Sequence, residues 1–187
     1  MIIITAVDKG YGEMAAAMMT SVAKNSPGYE TKIFHINNNW KAAHNIKPFV
    51  ILECFEQGHK QVLWLDADII VRKPLKGIWR GGDIRIIQRP LLSKDFKVNT
   101  GVIVIKKKAI PLIKEWKKII GKAERKRIYN LDQRTFWKAY KKCPEIKLSS
   151  LQMKYNDNLF RDDSVIWHAK GHCRQREEWK TEYKKYA

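Results

Sequence analysis

Two carboxylates separated by one small residue, Asp66-Ala67-Asp68, follow directly on the apolar run Val62-Leu63-Trp64-Leu65 and lead into Ile69-Ile70-Val71. Like charges this close repel unless a proton or a cation lies between them. A hard divalent ion such as Mg²⁺ or Mn²⁺, which favours carboxylate and water oxygens and keeps positions open for phosphate, satisfies such a doublet. An acidic turn that caps a helix is the alternative. Far downstream, Val165-Ile166-Trp167 runs into His168-Ala169-Lys170-Gly171-His172-Cys173-Arg174. A neutral imidazole at a strand end is a good third ligand for a Mn-like ion. Gly171 lets backbone approach a phosphate, and Lys170 or Arg174 supplies positive charge.

These residues need elements to hold them. Ile2 to Val7 reads as a strand that stops at Asp8-Lys9-Gly10, and Glu13 to Lys24, rich in Ala and Met, reads as a helix ending before Asn25-Ser26-Pro27-Gly28. Thr31 to Ile36 repeats the strand signal, Phe49 to Phe55 presents a helical apolar face after Pro48, and Gln61 to Leu65 is a short buried strand. Further strands are expected at Ile84 to Gln88, Val102 to Ile105 and Ser164 to Trp167. Helices are expected from Ile110, on the spacing of Ile113, Trp116 and Ile120, and over Leu131 to Tyr140. Strands alternating with helices predict an α/β sheet covered on both faces, whose ligand crevice lies outside the carboxyl ends of its strands. The doublet falls at such an end.

At 187 residues and 22.0 kDa, with 44% hydrophobic residues, the chain is expected to form one domain with a substantial core, spanning residues 1–187. Its longest uncharged apolar runs fall far short of a membrane span. The apolar start meets Asp8 and Lys9 at once, which reads as a first strand rather than an export signal, so a cytoplasmic location is expected. Cys54, Cys143 and Cys173 are widely spaced, which argues against a disulfide framework or a structural zinc site and for reduced, buried thiols.

Charge is the unusual part of the composition. Thirty-seven Lys and Arg against nineteen Asp and Glu give +18, and Lys106 to Lys142 alone carries fourteen basic residues against three acidic ones. An excess of this size predicts attraction to polyanions, so nucleic acid, an acidic glycan or an acidic membrane surface is an expected partner, with a solvated helix face as the plainer reading. A noncatalytic nucleic-acid-binding module, using Trp116, Trp137 and Tyr140 among the basic residues, is a rival function, but it leaves the acidic doublet unexplained. A haloacid-dehalogenase-type phosphatase also opens its site with Asp-x-Asp after a strand. There the motif sits near the start of the domain, whereas about sixty residues precede it here.

Taken in order, Val62 to Asp68, Asn99-Thr100-Gly101-Val102, Leu131-Asp132-Gln133 and His168-x-x-Gly171 resemble the GT-A glycosyltransferases of family 8, the glycogenin and bacterial galactosyltransferase group. The resemblance covers nearly the whole chain. It implies a GT-A-type, Rossmann-like domain with a mixed, mainly parallel sheet and helices on both faces. It also implies a nucleotide-sugar donor, usually UDP-linked, bound with Mn²⁺ (or Mg²⁺), and transfer to an acceptor with retention of configuration. By the same resemblance Asp66, Asp68 and His168 hold the metal, with Ala67 beside the donor, and Gly171 and Arg174 touch the diphosphate. Ala6, Asp8 and Tyr11 line the nucleoside pocket and Lys47 is the basic residue next to the donor. Asn99 and Gly101 lie along the sugar, and Asp132 and Gln133 stand near its anomeric carbon as the catalytic candidates. Two departures stand out. Arg174 occupies a place where the family commonly has Lys, and the long carboxyl-terminal region of many relatives is not expected here, so the acceptor does not carry over.

Overall fold

The computed structural model describes residues 1–36, 45–89, 97–123 and 131–187. Its centre is a six-stranded sheet built from β1 (Ile2–Val7), β2 (Glu30–His35), β3 (Gln61–Leu65), β5 (Ile84–Gln88), β6 (Val98–Lys106) and β7 (Leu148–Ser150), in the order β2-β1-β3-β6-β5-β7. Pairing is parallel from β1 to β2 and β3 and from β5 to β7, and antiparallel from β6 to both β3 and β5. Five strands therefore run one way and β6 alone runs against them. This is the mixed, mainly parallel sheet expected.

Both faces are buried, which is why β1 and most of β3 and β6 show no polar alternation. On one face Ile4, Trp64, Ile86 and Ile103 pack beneath α2 (Lys47–Glu56), α3 (Ile110–Ala123) and α4 (Leu131–Tyr140), through Ile51, Ile113, Trp116 and Phe136. On the other, Ile3, Leu63, Leu65 and Val104 meet Met18 and Val22 of α1 (Gly12–Asn25) and Ile69 and Val71 of β4 (Ile69–Val71). α2 begins at Lys47, two residues earlier than its apolar spacing indicates, because Pro48 in the first turn lacks only an N–H that has no helical partner there.

Three features went unread in the sequence. β4 pairs antiparallel with β8 (Ile166–His168) in a separate ribbon, setting Ile69 opposite His168. β7 closes the sheet edge with only three residues, too few to show a period. A last helix, α5 (Glu177–Tyr183), packs Trp179 with Phe160, Trp167 and Ala17 in a third cluster that clamps the ribbon against α1.

β6 also starts earlier than Val102. It runs from Val98, and its register against β5 jumps between Ile86, opposite Ile103, and Ile87, opposite Asn99. Asn99-Thr100-Gly101 is thus a bulged stretch inside a strand, and bulges re-aim side chains beside sites.

The expectation of buried thiols holds, since Cys54, Cys143 and Cys173 are buried and unpaired. Among the described residues no helix is long and apolar enough to cross a membrane. Trp116 corrects the nucleic-acid reading. It is fully buried, edge-on to Phe136 at 5.1 Å, with its indole N–H donated to Thr135 Oγ1 at 3.0 Å, and offers no stacking face. Of the basic run, Lys114, Lys117, Lys118 and Lys122 stand on the exposed side of α3, and residues 124–130 lie outside the described residues.

Candidate metal and donor site

The site forms where the carboxyl ends of β1 and β3 meet the start of β6 and the end of β8. Register does the assembling. Leu65 pairs with Val102, so Asp66 N–H reaches the Gly101 carbonyl at 2.9 Å, and Ile69 pairs with His168, so Ala169 N–H reaches the Asp68 carbonyl at 2.9 Å. Two strand pairings thus bring residues about a hundred positions apart to one edge.

The expected metal ligands come together. His168 Nε2 lies 3.1 Å from Asp68 Oδ1 and 3.8 Å from Asp66 Oδ2. One ligand atom from each of the three residues falls within 4.8 Å of the others, and among the described residues this is the group of His, Cys, Asp and Glu that could hold an ion. His168 is buried and the two carboxylates are half-buried at the mouth. Two anionic oxygens and an imidazole nitrogen on one opening are a donor set that fits Mn²⁺ or Mg²⁺ with positions left for other oxygens.

Asp66 also looks inward. It shares the Trp64 face, and its Oδ1 accepts the Trp64 indole N–H at 2.8 Å and lies 3.1 Å from Lys47 Nζ. Lys47 is a fully buried lysine at the start of α2, whose ammonium donates to Asp132 Oδ2 at 2.7 Å and to Thr100 Oγ1 and carbonyl at 3.3 and 3.2 Å. Thr100 Oγ1 donates to the same Asp132 oxygen at 2.6 Å. Burial alone would lower the Lys47 pKa, but Asp132 and then Asp66 outweigh it and raise it, so the ammonium is fixed in its charged form. Burial would likewise raise the Asp66 pKa, and Lys47 with His168 holds it well below the usual carboxylate range. The chain Asp132-Lys47-Asp66 ties α4 and α2 to the Asp66, Asp68 and His168 group.

Positive charge also gathers near the two carboxylates. Burial, reinforced by Arg89, pushes the Lys170 ammonium down to about 8 against the opposing pull of Asp66 and Asp68. Burial also lowers the pKa of Arg89, a residue that reading the sequence did not single out and that follows directly on β5. A desolvated cation pair is the environment in which a diphosphate exchanges its water for protein charge.

The remaining expected residues divide into two groups. Ala6 and Asp8 stand at the end of β1, and Asp8 turns the chain by accepting Gly10 N–H at 3.0 Å. Tyr11, exposed at the start of α1, receives Arg174 Nη1 on its hydroxyl at 3.2 Å, so these two residues, 163 apart, share one wall. Gly171, exposed with φ +52°, opens the turn Gly171–Gln175 in a conformation that favours glycine. Ala67 is partly exposed between the carboxylates. Gln133 Oε1 is buried and has no hydrogen-bond partner among the described residues, an acceptor left open. Asn99 and Gly101 are buried beneath the imidazole.

Gly101 is there because nothing larger fits. A Cβ on it would come within 2.2 Å of His168 Cε1 and 2.7 Å of Nδ1. Gly101→Ala is therefore expected to displace the ring and destabilise the fold by about 1–3 kcal/mol, the usual range for overpacking. Chemical denaturation checks this, and a midpoint unchanged from the parent would contradict the close approach.

Neither Asn156 nor Asp157 was read from the sequence as part of a site. Asn156 joins His168 to Asn99, and Asp157, fully buried, receives the N–H groups of Leu159 and Arg161 and the Ser164 hydroxyl, folding the loop that delivers β8. Burial would raise the Asp157 pKa, but these bonds lower it. Polar loop residues carry no periodicity, so only their spacing as an Asn-Asp pair before a strand could have drawn attention.

No protein-family model matches the chain, and no curated protein matches it in sequence. Solved structures do match. A glycosyltransferase involved in glycosylation of the major capsid of PBCV-1 superposes with a TM-score of 0.70 at 16% identity, over 97% of this chain and 98% of its own. The galactosyltransferase LgtC, solved with donor and acceptor sugar analogues, gives 0.62 at 14% identity, over 100% of this chain and 96% of its own. GlyE from Streptococcus pneumoniae TIGR4 gives 0.65 at 17% identity over 97% of this chain, which spans 59% of GlyE. The class defined here is one of fold: the chain has the α/β architecture of these glycosyltransferases. Neither a phosphatase of the haloacid-dehalogenase type nor a nucleic-acid module is favoured by that architecture.

Proposed function

We propose that the protein is a metal-dependent glycosyltransferase of the family 8 kind, taking a sugar from a nucleotide-sugar donor, UDP-linked by the motif resemblance, and transferring it with retention. The observation that carries the reading is the convergence of Asp66, Asp68 and His168 on one opening beside Lys170 and Arg89. The Trp64 indole and Lys47 both meet Asp66 at Oδ1, which leaves Oδ2 turned toward His168 and the opening. The likeness to LgtC, solved with donor and acceptor sugar analogues, supports the choice of substrate class.

Bound there, a divalent cation supplies Lewis-acid neutralisation of the departing diphosphate. The chain's own residues supply the rest. Lys170, Arg89 and Arg174 place positive charge where the leaving group gains negative charge, stabilising the transition state more than the ground state. Tyr11 offers a ring for a nucleobase at the end of β1. Asp132 Oδ2 accepts from the Lys47 ammonium and the Thr100 hydroxyl, which leaves the open Gln133 acceptor as the freer group to orient a sugar hydroxyl. Near pH 8 the Lys170 charge is poised to be lost, so donor binding is expected to weaken as pH rises through that value. The expected acceptor is anionic, in keeping with the net charge of +18.

UDP with Mn²⁺ should raise the melting temperature by mass action: at a hundred times Kd, about 2.7 kcal/mol and roughly 5–10 °C for a chain of this size. A panel of UDP-, GDP- and TDP-sugars with Mn²⁺, followed for release of free nucleotide, identifies the donor. No shift with UDP and Mn²⁺ and no hydrolysis of any donor would overturn the proposal.

A further inference from the structure

We propose that Asn156 is a positioning residue for the cation site: its carboxamide, oriented by Asn99, holds His168 in the tautomer that leaves Nε2 bare toward the two carboxylates. The inference rests on the proposal that Asp66, Asp68 and His168 bind a divalent cation.

The direction of the hydrogen bonds follows from the main chain. Gly101 N–H can only donate, and it lies 2.9 Å from the Asn99 side chain, so the atom facing it is the carbonyl oxygen Oδ1. The same oxygen lies 2.7 Å from the Asn156 carboxamide, which must therefore turn its NH₂ toward Asn99. That places Asn156 Oδ1 against His168 Nδ1 at 2.6 Å. An oxygen acceptor in that place requires the ring proton on Nδ1, and the neutral ring then carries its lone pair on Nε2. Nε2 faces Asp68 Oδ1 at 3.1 Å, so the contact is satisfied either by a second ring proton on Nε2 or, once that proton is displaced, by a cation between the two atoms.

The relay is built to hold. Asn99, Asn156 and His168 are 2%, 4% and 1% exposed, so no water competes for these bonds. Its first donor sits in the β6 bulge, whose missing Cβ at Gly101 gives the ring its space. Its last acceptor sits next to Asp157, whose carbonyl receives the His168 N–H at 2.8 Å. Partners of this kind raise the basicity of a ligating imidazole and fix its orientation, and their loss costs roughly 10–100-fold in metal affinity.

The test measures Mn²⁺ binding by electron paramagnetic resonance, with electron spin echo modulation from a ¹⁴N nucleus reporting nitrogen ligation. In the parent protein, Mn²⁺ binds with ¹⁴N modulation. In Asn156→Leu the affinity falls roughly 10–100-fold and the modulation weakens. Urea unfolding of the metal-free Asn156→Leu protein is measured beside the parent, so that a lost relay is told apart from a general loss of packing. A second measurement needs no variant: ¹⁵N–¹H correlation of the His168 ring in the Zn²⁺-loaded parent shows the proton on Nδ1. Equal Mn²⁺ affinity and modulation in Asn156→Leu, or a bare or metal-bound Nδ1 in the parent, would sink the relay while the cation site stands. A parent that binds no Mn²⁺ would sink the cation site and the relay together.

Discussion

Lys47→Met is expected to cost about 3–5 kcal/mol of folding stability, the range observed when one partner of a buried ion pair is removed. The methionine replaces the aliphatic stem at similar volume, so the loss is electrostatic rather than steric. Among the described residues it leaves Asp132, buried at 3% exposure, with the Thr100 hydroxyl on its Oδ2, and Asp66 with the Trp64 indole and the imidazole. A loss of this size is a large fraction of the 5–15 kcal/mol that holds a typical domain together. Urea unfolding of the parent and the variant reads it directly. Adding Asp132→Asn to Lys47→Met removes one of the stranded charges and is expected to recover a substantial part of the loss, which separates charge stranding from damage to the α2 helix. Lys47→Arg should not substitute, because a planar five-donor guanidinium does not fit a buried pocket built around a compact ammonium. A loss below about 1 kcal/mol in Lys47→Met would mean the network contributes no more than a surface pair.

The same lysine shows where the sequence is legible and where it is not. β1, β3 and the doublet after it could be read because a strand buried on both faces is an unbroken apolar run, and Asp66 and Asp68 end that run abruptly. The α3 face could be read from the spacing of Ile113, Trp116 and Ile120, all buried as a helical period requires. That same period is incompatible with the stacking role expected of Trp116, which lies on the apolar stripe and is fully buried. Lys47 carries no such signal. Lysines are almost never fully buried unless paired, and its partners Asp66 and Asp132 are remote in the chain, so only the ordered motif resemblance pointed to it. Asn156 and Asp157 lie further out of reach. Their roles arise from a loop folded on its own hydrogen bonds and from a two-stranded ribbon of three residues a side, neither of which leaves a periodic trace. His168 stands between these cases: its place after Val165-Ile166-Trp167 was legible, but what it meets was set by the β4–β8 register.

Asp68→Asn is expected to abolish the thermal stabilisation by UDP and Mn²⁺ while moving the metal-free melting temperature far less than Lys47→Met does. The two carboxylates of the doublet differ in what else they hold. Asp68 Oδ1 meets the imidazole at 3.1 Å, and its place in the fold is kept by its backbone carbonyl, which accepts Ala169 N–H and is untouched by the substitution. Asp66 belongs both to the proposed cation site and to the network of the buried lysine, so Asp66→Asn removes a proposed ligand and also one of the two charges that keep Lys47 ionised in the interior. The pair of variants therefore separates binding from folding: Asp68→Asn loses the ligand-induced shift with a near-parental baseline, and Asp66→Asn loses the shift with a lowered baseline. Removing a direct anionic ligand should weaken Mn²⁺ at least as much as the roughly 10–100-fold typical of changes one layer out. The Asp66→Asn, Asp68→Asn double variant should show no response to UDP and Mn²⁺ at any accessible concentration. Calorimetry with and without Mn²⁺ and UDP measures both quantities in one series. An Asp68→Asn protein that keeps the full ligand-induced shift would place the nucleotide somewhere other than the edge where β3, β6 and β8 converge.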